Sequence, residues 1–176
     1  MASNSRDKAV KGFSTTIQRA LSCFATGKVF GDTYDLGVIG RLSLNGAKKV
    51  QLRGPGRLRI SLSILYEVLQ VGDPLRPEFD VSTRGYMHHL YSSAGDELIG
   101  YHWHPIDNSH ATWPHLHVTG GKNHYPSGRI LVEDVLQLAM EYGATPTDPK
   151  AWRRVSKANR ERFASEATWH SYVPSD

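Results

Sequence analysis

Residues 58–68 constrain the fold of this chain more than any other stretch. Leu58, Ile60, Leu62, Ile64, Tyr66 and Val68 alternate with Arg59, Ser61, Ser63, Leu65 and Glu67. Successive side chains on a strand point to opposite faces, so this alternation predicts a strand with one face on a core. Gly72-Asp73-Pro74 ends it. A second strand is expected over 78–92, bulged at Gly85. The turn Ser93-Ala94-Gly95-Asp96 then leads into a third strand over 97–104, which Pro105 stops. A polar loop over 106–113 precedes a short fourth strand, His115–Thr119. The expected sheet is an antiparallel meander of about four strands.

Helical spacing flanks this sheet. Phe13, Ile17, Leu21 and Phe24 predict a helix over 13–26, with Gly27 closing it. Residues 1–12 are polar and read as a disordered N-terminal segment ahead of a single domain, 13–176. Residues 27–56 are glycine-rich and read as irregular structure or short strands up to the turn Gly54-Pro55-Gly56. Leu131, Val135, Leu138 and Tyr142 predict a second helix that ends at Gly143. Asp148-Pro149 supplies an N-cap and a first-turn proline for a third. One face of that helix carries Trp152, Val155, Asn159 and Phe163, and Lys150, Arg153, Arg154, Lys157, Arg160 and Arg162 fill much of the rest. The fold class is α+β, an antiparallel sheet with one N-terminal and two C-terminal helices. Leu138 and Phe163 are expected in its core beside the alternating strand.

The composition excludes several classes. A single cysteine, Cys23, forbids an internal disulfide and a thiolate metal cluster. No run of 18 or more apolar residues is present, so no membrane helix is expected. The start lacks the basic-then-apolar pattern of a secretory signal, and the cytoplasm is the expected compartment. A net charge of +4 is compatible with an anionic partner.

The chemistry concentrates in one place. Eight of the nine histidines lie between His88 and His124. Four form H-x-H pairs, His102/His104 and His115/His117, and each pair borders a proline. Residues i and i+2 of a strand share a face, so each pair points one way. Tyr101 and Trp103, and likewise Leu116 and Val118, point the other way. Pairing of the two strands would bring four imidazoles to one surface. Of the neighbouring strand, either His88 or His89 would join them.

Three readings follow. In the first, His102, His104, His115 and His117 cleave RNA without a metal or other cofactor. One histidine takes the ribose 2′-hydroxyl proton and another protonates the leaving oxygen. Arg59 and Arg84, with Arg153, Arg154 and Lys157 of the last helix, hold the charged backbone, and Tyr101 and Trp103 stack on bases. In the second, the same four histidines ligate zinc, copper or iron. Tyr101-His102-Trp103-His104-Pro105 is similar to the first cupin motif but lacks its glutamate; the nearest carboxylate, Asp107, lies beyond a proline. In the third, the chain is a non-catalytic module that binds nucleic acid or protein through its basic last helix.

Residues 58–120 resemble the TumE-like proteins, small toxins encoded beside an antitoxin. The shared features are an alternating strand with a glutamate (Leu65-Tyr66-Glu67-Val68), a tyrosine-rich segment (Tyr86–Tyr91), an acidic turn and strand (Asp96–Tyr101), and Pro114-His115-Leu116-His117-Val118. The resemblance implies an intracellular toxin with a cognate antitoxin protein as partner. Together with the first reading it makes an RNase-like toxin or related effector the leading expectation.

Overall fold

The computed structural model describes residues 2–106, 111–119 and 123–166. Its elements are α1 (Arg6–Ser22), β1 (Val29–Gly31), β2 (Ile39–Leu44), β3 (Val50–Gln51), β4 (Arg59–Val71), β5 (Glu78–Tyr91), β6 (Glu97–Trp103), β7 (His115–Val118), β8 (Tyr125–Pro126), α2 (Val132–Glu141) and α3 (Pro149–Glu166). The fold is α+β with three helices, as the hydrophobic patterning predicts.

The sheet is larger than the expected four strands. It has eight, in the order β1-β2-β4-β5-β6-β7-β8, with β3 also on β4. Every pairing between these strands is antiparallel. The central four are those the sequence predicts. β1, β3 and β8 are only two or three residues long. At that length alternation has no room to show, and such strands exist only through their partners. β2 lies inside the glycine-rich segment and pairs Ile39–Ser43 with Ser63–Glu67.

β4 and β5 are the long members, and their ladder runs from Arg59↔Tyr91 to Val71↔Glu78. Its register shifts once, because Leu65 faces Gly85 and Tyr66 faces Thr83. Arg84 is therefore the extra residue of a bulge beside the expected glycine. Gly85 suits this place, since a Cβ there would overlap the Trp103 carbonyl of β6.

The helices cover one face of the sheet. Leu58, Ile60, Leu62, Ile64, Tyr66 and Val68 are all buried there. They meet Val10, Ile17 and Leu21 of α1 and Val132, Val135, Leu136 and Ala139 of α2 in one core. Phe24, just past α1, stacks edge-on against Trp152 of α3 at 4.9 Å.

α1 begins at Arg6, ahead of the apolar periodicity, because Ser5 caps it: its side chain accepts the Lys8 amide at 3.2 Å. α3 begins as expected, with the Asp148 carboxylate accepting the amides of Lys150 and Ala151 at 2.8 and 3.1 Å. α2 sits rotated from the expected face. Leu136 and Ala139 are buried, Leu138 is half-buried, and Tyr142 is exposed. Phe163 is likewise half-buried. Glu133 takes a place on the buried face of α2, held by Asn159 Nδ2 at 2.6 Å. None of these helices is long and apolar enough to cross a membrane.

Truncating the central strand tests this core. Leu62 is 2% exposed, and Leu62→Ala is expected to cost about 2–5 kcal/mol in urea melts. Leu75, 90% exposed in the β4–β5 connection, should cost under about 0.5 kcal/mol when changed to alanine. Equal losses at the two sites would contradict the assignment of the buried face.

Candidate metal centre

The strand faces decide where each histidine goes. Tyr86, His88 and Leu90 of β5 point toward the helices and are buried. His89 therefore points to the opposite face. β6 lies beside β5 with Gly100 opposite His89, and β7 lies beside β6 with His115 opposite His102 and His117 opposite Gly100. The same face thus carries His89, His102, His115 and His117 on three adjacent strands. His104 follows the end of β6 and His124 precedes β8, and both swing onto the cluster.

The rings are in contact. His102 lies 4.7 Å from His117, 5.6 Å from His115 and 4.8 Å from His89 between ring centroids. His104 is 5.0 Å from His115. His124 is 4.7 Å from His115 and 4.6 Å from His117. His102, His115 and His117 form the centre: one ring nitrogen from each lies within 4.8 Å of the other two. Two nitrogens on one zinc at 2.0–2.1 Å stand about 3.3 Å apart, so the rings need to close by at most about 1.5 Å.

Hydrogen bonds orient two of these rings, His115 and His89. His115 Nδ1 lies 2.8 Å from the Trp113 carbonyl oxygen. A carbonyl only accepts, so Nδ1 carries the proton and the lone pair is on Nε2 when the ring is neutral. That Nε2 is buried and has no hydrogen-bond partner. His102 Nε2 is in the same condition. His89 Nδ1 sits 2.7 Å from Glu97 Oε2 and donates to it. Backbone carbonyls and carboxylates hold metal-ligating imidazoles in this way, fixing the tautomer and aiming the other nitrogen.

The charge state agrees with the geometry. Burial, followed by repulsion from His89, His117, His115 and His104, pushes the His102 pKa down to about 3. Burial also lowers His115 and His117, again with the neighbouring imidazoles adding to the effect. Burial and crowding thus favour the neutral imidazoles, the form whose nitrogens can accept a metal ion; protons and metal ions compete for the same nitrogens.

Gly100 makes the room. A Cβ there would stand 3.1 Å from each of Glu97 Oε1, His102 Nε2 and His89 Nδ1. A glycine in mid-strand marks such a close approach, and that is the sequence signal for its part in the site. The alternation of Tyr86, His88 and Leu90 is the corresponding signal for His89. Glu97 and His124 have no local signal, because the sheet register brings them in.

The other expected site residues disperse. Trp103 is 4% exposed on the helix-covered face, with the Arg129 guanidinium 4.2 Å from its ring centroid. Tyr101 lies partly buried on that face as well, against the core. Period-two geometry forces both away from the histidines, so neither can stack on a base lying there. Arg84 is engaged by Glu67 at 2.7 Å. Arg59 does share the histidine face, opposite Tyr91. Arg153, Arg154 and Lys157 are exposed on α3, which packs on the helix side of the sheet, and Lys157 faces Glu161 at 3.7 Å. The basic helix therefore does not extend the histidine surface. Asp107 lies outside the described residues.

No protein-family model, no curated protein and no solved structure matches this chain. The site rests on its own geometry.

Acid should destabilise the fold through these rings. His88 and His102 are both lowered from 6.5 to about 3. Between those values the unfolded chain binds more protons than the folded one, so stability falls as pH drops through that window and is unaffected by these groups above it. Thermal melts of the metal-free protein from pH 7 to pH 4 should show this slope, and His102→Gln should flatten it. An unchanged slope in the variant would contradict the buried neutral state of His102.

Proposed function

We propose that His102, His115 and His117 bind one divalent transition metal of the zinc type, and that the protein uses this centre hydrolytically. The observation that carries this reading is the convergence of three imidazole nitrogens within 4.8 Å on two paired strands. Three histidines leave a coordination position for water or substrate, the arrangement of catalytic rather than structural zinc. A metal bound there supplies an acidified water and a positive charge for a developing oxyanion. His89, His104 and His124 border the three ligands, and Glu97 holds His89.

The same observation weighs against a purely acid–base role for His102. A general acid must carry its proton near the working pH, and burial beside other imidazoles disfavours that form. An acid–base ribonuclease is favoured by a different feature, the His89–Glu97 pair at 2.7 Å, because a carboxylate stabilises the imidazolium that a base becomes.

The substrate class we propose is the phosphodiester backbone of RNA. Support comes from the net charge of +4, from Arg59 on the histidine face, and from Lys49, whose Nζ lies 3.7 Å over the Tyr91 ring at the edge of that face. The TumE-like resemblance of residues 58–120 adds a toxin role and an antitoxin partner to the proposal.

Zinc titration by calorimetry, followed by RNA cleavage assays, separates these readings. The metal reading expects one zinc per chain, an affinity loss of at least about 100-fold in His117→Ala, and cleavage abolished by EDTA and restored by zinc. Cleavage that persists in EDTA but disappears in Glu97→Gln would replace it with the acid–base reading.

A further inference from the structure

One end of the histidine face holds a pocket that the metal centre does not use. It measures about 610 Å³ and is lined by Gln51 of β3, Arg57 and Arg59 at the start of β4, and Ser93 and Ala94 of the turn between β5 and β6. No carboxylate is among these residues; Asp96, further along the turn, accepts the Ser92 hydroxyl at 3.5 Å. Among the described residues neither guanidinium has an ion-pair or hydrogen-bond partner, and nothing accepts the amides of Ser93 and Ala94. Arg59 reaches the turn, its Nη1 3.8 Å from where a Gly95 Cβ would stand. Lys49 adds a cation beside it: its Nζ donates to the Gly95 carbonyl at 3.1 Å and lies 3.7 Å over the Tyr91 ring. Arg57 occupies a left-handed backbone position, φ 46°, that ordinarily favours glycine.

Two guanidiniums beside unused turn amides, with no acid between them, form an anion site. The planar fork of arginine matches phosphate oxygens, and backbone amides add donors. We infer that this pocket holds a phosphate group of the RNA backbone, anchored by Arg57 and Arg59, with the strand continuing toward the histidines. For its source the inference rests on the RNA reading above; for its anion it rests on the pocket alone. Volume favours a nucleotide over a free ion, because a pocket in the range that encloses whole small molecules has room for the sugar beside the phosphate. Position sets the path. Arg59 stands opposite Tyr91 in the β4–β5 ladder, the Tyr91 ring stacks on His89 at 5.9 Å and 13°, and His89 lies 4.8 Å from His102. A strand anchored here crosses Tyr91 and His89 before it meets the metal ligands. Arg57 is a strained choice at its backbone position, and strain of this kind persists where the side chain is needed.

Binding is measured in EDTA, so that no metal contributes. Titrated into ¹⁵N-labelled full-length protein, inorganic phosphate should give saturable shifts at the Ser93 and Ala94 amides and at Nε of Arg57 and Arg59. A fluorescent polyuridine oligonucleotide should bind roughly fivefold or more weakly to Arg57→Gly, and to Arg59→Gln, than to the wild type. Each change should reduce the slope of log affinity against log salt by about 0.7, as one phosphate contact on a single strand requires. Glycine suits the left-handed position, so Arg57→Gly should melt no lower than the wild type. Arg153→Gln, an exposed charge on the helix side of the sheet, should alter RNA affinity by less than about twofold. Absence of saturable phosphate shifts, or equal losses in Arg57→Gly and Arg153→Gln, would overturn the anion site. Saturable phosphate shifts with RNA that fails to bind, or binds Arg57→Gly as tightly as the wild type, would overturn the backbone assignment in favour of free phosphate. Zinc titration of Arg57→Gly should still give one ion per chain, and failure of the wild type to bind zinc would count against the metal centre alone.

Discussion

The ladder between β4 and β5 is the constraint on which the other placements depend. It is the longest pairing in the molecule, and its alternation commits one face to the helices and the other to polar side chains. Once Leu62 and Ile64 are buried, Tyr86 and Leu90 must be buried opposite their neighbours, and His88 and His89 must separate to opposite faces. A slip of one residue would reverse every assignment on both strands. The bulge at Arg84 absorbs the single register change, so that the strand beyond it meets β6 in the register that sets Gly100 beside His89.

Assembly of the site is then a matter of sheet register. β6 and β7 are adjacent in the sheet, and their pairing sets His102 directly opposite His115. Directly opposed residues have Cβ atoms about 4.5–5.5 Å apart, which is the spacing imidazoles need to share an ion. The arrangement is costly in the metal-free protein. His102 Nε2 and His115 Nε2 are buried without partners, and each such atom costs about 1–3 kcal/mol. Protonation does not relieve the strain, because adjacent imidazolium charges repel one another. A cation relieves both penalties at once, and this makes the metal the economical reading of the surface.

Much of this was legible in the chain, for definite reasons. The apolar alternation of 58–68 and the shared facing of His115 and His117 on β7 depend on the period-two geometry of a strand, which local sequence records. The facing of His89 is implied by the apolar Tyr86 and Leu90 on either side of His88. The short strands β1, β3 and β8 were not legible, since two or three residues carry no period. The rotation of α2 was hidden because Leu131, Leu138 and Tyr142 mimic an apolar stripe, while the buried positions include Glu133, whose place depends on Asn159 of another helix. Tyr101 and Trp103 look like base-stacking residues only when their composition is considered without their facing. Glu97 and His124 reach the site through the pairing of β5 with β6 and of β7 with β8, which leaves no mark in local sequence.

The central claim is that three imidazoles from β6 and β7 share one ion. X-ray absorption at the zinc edge, on full-length protein loaded with one equivalent, tests it most directly. The account predicts a first shell at about 2.0–2.1 Å with three imidazole ligands and one further light atom. A shell with one imidazole or none, the signature of a loosely held surface ion, would contradict it.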